Sequence, residues 1–251
     1  MPATLSPIAP APAAPAFDVL PPADPPPVAA PAPASGRHAR FAPVAGLIRD
    51  LHAAAGGERV RVLDAGGFDD FWKGLPDELV ARCDVTLLDP GLKKPPRDAR
   101  DRRFRYETGD VYDLSRWRTG AFDLAFSQGT LDHLGLYARQ ERFASELCRV
   151  GRRYAVRTPN YRFPVDPDYR VPCWQYLPVR VRAVLVRHFQ IGHVDRATNM
   201  ADATRWVEET RLVTAAELRA LFPDGRVLRE HVCGLTKSFC VLGPAKLLGR
   251  R

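Results

Sequence analysis

The sequence predicts an α/β fold: a doubly wound, mostly parallel seven-stranded sheet with a C-terminal antiparallel hairpin. Three observations predict it. Short apolar strands alternate with helical periods from about residue 44 to residue 158, the pattern of a parallel sheet covered on both faces. Four of those strands end in acidic, polar or glycine residues, as the ligand side of an open parallel sheet requires. Two last apolar runs flank the tight turn Cys233-Gly234, which reads as a hairpin.

The elements follow in order. Val44, Leu47, Ile48 and Leu51 keep a helical period that Gly56-Gly57 ends. Arg59 to Asp64 is the first strand, broken by Ala65-Gly66-Gly67. Phe71 to Arg82 is helical, with Pro76 as an irregularity or a break into two short pieces. Val85 to Asp89 is a second strand closed by Pro90-Gly91, Phe104 to Glu107 a third, and Phe122 to Ser127 a fourth. A helix from Tyr137 to Val150 leads to a fifth strand, Tyr154 to Thr158. The stretch from Thr158 to Pro178 is rich in proline and aromatics and has no period; a long loop of this kind inside a domain usually carries function. A helix from Val179 to Phe189 follows, and the polar stretch Asp195 to Met200 fits no element. Thr214 and Glu217 form a capping box that opens a helix to Phe222. Arg226 to Val232 and Thr236 to Leu242 make the hairpin.

Composition bounds the function. Of the 251 residues, the first 36 are dominated by Ala and Pro, and twelve of the 24 prolines precede Ser35. Such a segment has too little apolar surface to offset chain entropy and reads as a disordered, partly polyproline II tail. Residues 37–251 are read as one domain. The tail lacks the positive start and unbroken apolar stretch of a secretory signal, and no run approaches the length of a membrane span. Five cysteines without C-x-x-C spacing argue against a disulfide framework and a zinc site, so no metal is expected and the cytoplasm is the expected compartment. The formal charge of +8 is spread over scattered arginines and not gathered with aromatics on one face, which argues against a nucleic-acid partner.

The loop after the first strand separates two cofactor classes. A nicotinamide fold needs G-x-G-x-x-G to seat a pyrophosphate, whereas this loop runs Gly66-Gly67-Phe68-Asp69-Asp70. Its two carboxylates repel phosphate and tolerate the sulfonium and amino groups of S-adenosylmethionine. Six stretches in order, Val62 to Trp72, Val85 to Pro90, Gly109-Asp110, Phe122 to Leu134, Arg149 to Asn160 and Leu235 to Phe239, resemble the class I S-adenosylmethionine-dependent methyltransferases. Within them they resemble the group with a GG-xxx-FW cofactor loop. The resemblance covers roughly residues 44–243 and implies a Rossmann-like sheet with S-adenosylmethionine as cofactor. It implies that Asp64, Gly66 and Gly67, with Phe68 and Trp72, form the cofactor loop and that Asp89 is the ribose acid. It further places Asp110 and Val111 at the adenine, and Ser127 and Gln128 beside the methionine moiety. Phe68 and Asp70 stand where the more usual loop has glycines. Each residue also has a plainer reading as a turn or helix cap.

Methyl transfer from a sulfonium is an in-line displacement, so positioning dominates and a proton acceptor is optional. His133, after the fourth strand, is the candidate general base; it could equally pack against the cofactor or cap the next helix. The loop 158–178 offers Tyr161, Trp174 and Tyr176 for stacking and Asp166 and Asp168 as polar handles, on the reading that it walls an acceptor pocket. The alternative is a packing arm whose aromatics fill the core. Ser127-Gln128-Gly129-Thr130 is not the D/N-P-P-Y/F turn of amino-directed base methylation and supplies no cysteine nucleophile. A small-molecule acceptor is therefore expected, with a nucleic-acid methyltransferase or a non-catalytic member of the fold as the other readings.

Overall fold

A computed structural model describes residues 37–67, 69–91 and 103–245. The Ala/Pro-rich tail and Phe68 lie outside the described residues.

The chain runs α1 (Arg37–Ala54), β1 (Val60–Ala65), α2 (Asp69–Lys73), α3 (Asp77–Val80), β2 (Cys83–Asp89), β3 (Phe104–Thr108), β4 (Phe122–Gln128), α4 (Tyr137–Val150) and β5 (Gly151–Pro159). It continues through α5 (Val179–His188), α6 (Met200–Glu209), α7 (Ala215–Leu221), β6 (Arg226–Val232) and β7 (Leu235–Gly243). The seven strands form one sheet in the order β3-β2-β1-β4-β5-β7-β6. Strands β1 to β5 are parallel, and β7 runs antiparallel between β5 and β6. The expected fold class is thus the observed one. The hairpin turn places Cys233 at φ 48° and Gly234 at φ 78°, the left-handed pair of a two-residue turn matched to strand twist.

Strand order reverses between β1 and β4, whose residues Val62, Leu63 and Asp64 face Leu124, Ala125 and Phe126. Alternate residues of these strands feed two cores. Leu63, Ala125, Tyr154 and Val241 pack under α4 and α7 with Phe143, Leu147 and Leu218. Val62, Leu87 and Phe126 pack on the other face against Val44 and Ile48 of α1 and Trp72 of α2. Strands covered on both sides are apolar almost throughout, which is why β1 and β4 read so plainly.

Of the two readings of Pro76 the break holds: it divides the second helical stretch into α2 and α3. The unplaced polar stretch near residue 200 leads into α6, a helix the sequence reading omits, whose Asn199 side chain accepts from the Asp202 amide as an N-cap. Helices α5 and α6 share a third core with the preceding loop, built from Tyr169, Trp174, Val186 and Val207. The whole segment begins and ends at one place: Asn160 bridges Val213, and the Tyr161 amide donates to the Val213 carbonyl at 3.0 Å.

Candidate active site

The carboxyl ends of β1, β2 and β4 converge at the strand-order reversal, and β1 delivers the most constrained group. Asp64 is wholly buried, and its Oδ2 accepts from the Trp72 indole N–H at 2.8 Å. Its Oδ1 has no hydrogen-bond partner. Burial pushes this carboxyl up to about 7, with the Trp72 bond opposing the shift. The two glycines that follow are dictated by close approach. Gly66 has φ +76° and donates its amide to the Leu88 carbonyl at 2.7 Å; a Cβ there would strike Thr130, which itself donates to the Ala65 carbonyl at 3.0 Å. A Cβ on Gly67 would collide with the Asp64 carboxylate.

Asp89 ends β2 beside this turn. Its Oδ1 accepts from the Gly91 amide at 2.7 Å, and partial burial raises its pKa against that bond. The Gly109 amide reaches the Asp89 carbonyl at 3.4 Å, which brings the half-exposed Asp110 to the same rim. At the end of β4, Ser127 is buried with its Oγ unpartnered, and the Gln128 side-chain oxygen accepts from Arg157 at 3.0 Å. Arg157 also binds Glu230 at 2.8 Å, so this cation, absent from the sequence reading, is anchored by the hairpin. Two of the expected cofactor contacts have buried side chains. The Trp72 ring lies in the core, edge-on to Phe71 and Phe126, where it holds Asp64 in place. The Val111 side chain is likewise buried in the sheet core.

The second group of residues lies on the loop side. His133 closes a single 3-10 turn, Leu131–His133, after β4. Its Nε2 stands 3.6 Å from Asp132 Oδ2 and 3.6 Å from Asp168 Oδ2. Burial opposes a charge on this imidazole, but Asp132, Asp168, Asp166 and Glu209 outweigh it and raise its pKa. Burial in turn pushes Asp132, Asp166 and Asp168 up. Helix α4 begins after Leu136 with no side-chain cap, so His133 does not cap it.

The loop places its residues in two different roles. Asp166 accepts the amides of Asp168 and Tyr169 at 2.9 and 3.0 Å; it shapes the turn that turns Asp168 toward His133. Trp174 is fully buried and stacks on Tyr169 at 4.3 Å, so its ring packs the third core and offers no face to a ligand. Tyr161 and Tyr176 meet edge-to-face at 5.2 Å, with Tyr176 half exposed. Tyr161 and Asp166 line a cavity of about 300 Å³ together with Gln175, Arg182, Arg211 and Glu217. The sequence reading omits Asp132, Arg182 and Arg211. Asp132 adjoins a residue already singled out, and that adjacency was the available signal.

No family model matches the chain. Two uncharacterized proteins from two strains of Mycobacterium tuberculosis are 37% identical over 51 residues, which is 20% of this chain and 17% of each relative; the match spans about one sixth of the relatives' length. Among solved structures, a Rhodobacter sphaeroides protein described as a Zn-dependent alcohol dehydrogenase has a TM-score of 0.50 at 14% identity, covering 77% of this chain and 88% of that one. At that identity the likeness shows the fold alone: the chain is a Rossmann-like α/β protein. Two further similar structures are named as methyltransferases. The Burkholderia thailandensis 1,6-didemethyltoxoflavin-N1-methyltransferase with bound S-adenosylhomocysteine has a TM-score of 0.44 at 17% identity, covering 86% and 92% of the two chains. A Methanosarcina mazei S-adenosylmethionine-dependent methyltransferase has a TM-score of 0.44 at 16% identity, covering 74% and 92%.

Proposed function

We propose that the chain transfers the methyl group of S-adenosylmethionine to an oxygen or nitrogen of a small-molecule acceptor. One observation carries the reading: the turn at the end of β1 is built over a buried carboxylate, Asp64, that has an unpartnered oxygen. A pyrophosphate seated on that turn would disfavour ionisation of this carboxyl still further in a low dielectric, whereas a cationic cofactor would favour its ionised form. The residues also fit the rest of such a cofactor. Asp89, at the neighbouring strand end, is an acceptor for ribose hydroxyls, and the buried Ser127 Oγ has a hydrogen bond still to make. Asp110, partly exposed beside Asp89, is suited to contact the adenine edge.

When bound, S-adenosylmethionine supplies an electrophilic methyl group. The chain's own part is to hold that group in line with the acceptor and to keep water out. Gly66 and Gly67 let the backbone come close, and Asp64 and Asp89 orient the two ends of the molecule. On the acceptor side, His133 prepares the attacking group, and Tyr161 and Tyr176 give stacking surface beside the cavity. No amine-gripping turn or nucleophilic cysteine follows β4, which favours a small acceptor over a nucleic-acid base.

Calorimetric titration tests the reading. Asp89→Ala should weaken S-adenosylmethionine binding about 10- to 150-fold, the loss of roughly 1.5–3 kcal/mol of charge-assisted hydrogen bonding, with the fold intact. Tight NAD binding, or undiminished affinity in Asp89→Ala, would overturn it.

A further inference from the structure

We infer that Asp132, His133 and Asp168 bind a divalent first-row transition-metal cation. The spacing predicts no metal site, because Asp168 comes from a segment 35 residues away from His133; the fold brings the three together. His133 Nε2 is 3.6 Å from one oxygen of each acid, and the three atoms all lie within 4.8 Å of one another.

That spacing separates two arrangements. An imidazolium paired with a carboxylate closes to about 2.7–2.9 Å, and neither acid comes so near. Ligands about 2.1 Å from a shared metal stand about 3.0–3.4 Å apart at octahedral or tetrahedral angles, so each His133–carboxylate separation of 3.6 Å is within a few tenths of an ångström of that spacing, and the two acids close on the ion from within 4.8 Å of one another. A second observation points the same way. Asp132 is 2% exposed, yet its Oδ1 has no hydrogen-bond partner, and the Asp168 oxygen that faces His133 is also buried and unpartnered. A carboxylate withdrawn from water is costly unless paired or metal-bound. Two carboxylates and a neutral imidazole balance a 2+ charge.

The mixed ligand set selects the metal class. Imidazole favours Mn²⁺, Fe²⁺ or Zn²⁺ over Ca²⁺, which collects six to eight oxygens. Three protein ligands leave positions open. Under the methyl-transfer reading, on which this last point rests, an open position favours an acceptor that offers an oxygen to the cation.

The test uses the full chain stripped by a chelator and titrated with Mn²⁺, followed by loss of the free-ion magnetic resonance signal, and with Zn²⁺, followed by melting temperature. One equivalent should bind. Asp168→Asn, at the edge of the cluster, and His133→Ala should each weaken binding at least about tenfold while retaining wild-type affinity for S-adenosylmethionine. Absence of binding by the wild-type chain at millimolar metal, or unchanged binding by Asp168→Asn, would sink the proposal. Because the titration needs no cofactor, its failure is distinct from failure of the methyl-transfer reading.

Discussion

Asp64 concentrates the conflict between fold and function in one side chain. Its burial raises the folded pKa to about 7, whereas an unfolded aspartate ionises near 3.9. Between those values the unfolded chain gives up its proton and the folded one keeps it, so this residue makes the cofactor-free protein less stable as pH rises from about 4 to about 7, and the effect levels off above that. The full shift sets a ceiling of about 4 kcal/mol. Asp64→Asn keeps an acceptor for the Trp72 indole and removes the ionisation. Thermal melts across pH 4 to 8 should therefore show the variant gaining on the wild type as pH rises; a gap that narrows instead would place the charge of Asp64 on the stabilising side. At this scale the strand-end residues Asp64, Asp89 and Ser127 were legible in the sequence because a parallel sheet leaves them a single place to stand. For Trp174 the sequence left two readings open, and its burial favours the packing arm: an aromatic in an aperiodic loop carries no mark of which way it faces, and α5 and α6, which cover it, lie later in the chain.

A helix end holds the turn that carries His133 in place. Thr214 accepts from the Glu217 amide, and Glu217 returns the bond to the Thr214 amide at 2.8 Å while pairing with Arg211. Arg211 reaches on to Gln140 at 2.6 Å, and its amide donates to the Asp132 carbonyl at 2.7 Å. The cap of α7 is thereby tied to the turn that carries His133. Thr214→Ala should cost about 1 kcal/mol or somewhat more, read as a lower midpoint in urea unfolding with an unchanged slope; an unaltered midpoint would show that the cap is redundant. The α7 box was legible because Thr and Glu stand at the diagnostic spacing. Helix α6 was not, because its N-cap is an Asn-Asp pair and its inward positions include Ala203 beside Val207, too small to mark an apolar stripe.

Across the molecule, cohesion is uneven. The sheet carries two cores that interlock through β1, β4 and β5, while the segment between Asn160 and Val213 has a smaller core of its own. Local opening free energy follows buried apolar contact, so amide hydrogen exchange should show α5 and α6 opening well before β1 and β4. Equal protection in both regions would mean that they unfold as one unit. The closure at Asn160 and Val213 carries a further consequence for descent. A segment that leaves and rejoins its host at adjoining residues can be replaced, lengthened or shortened by inheritance without disturbing a single strand pairing.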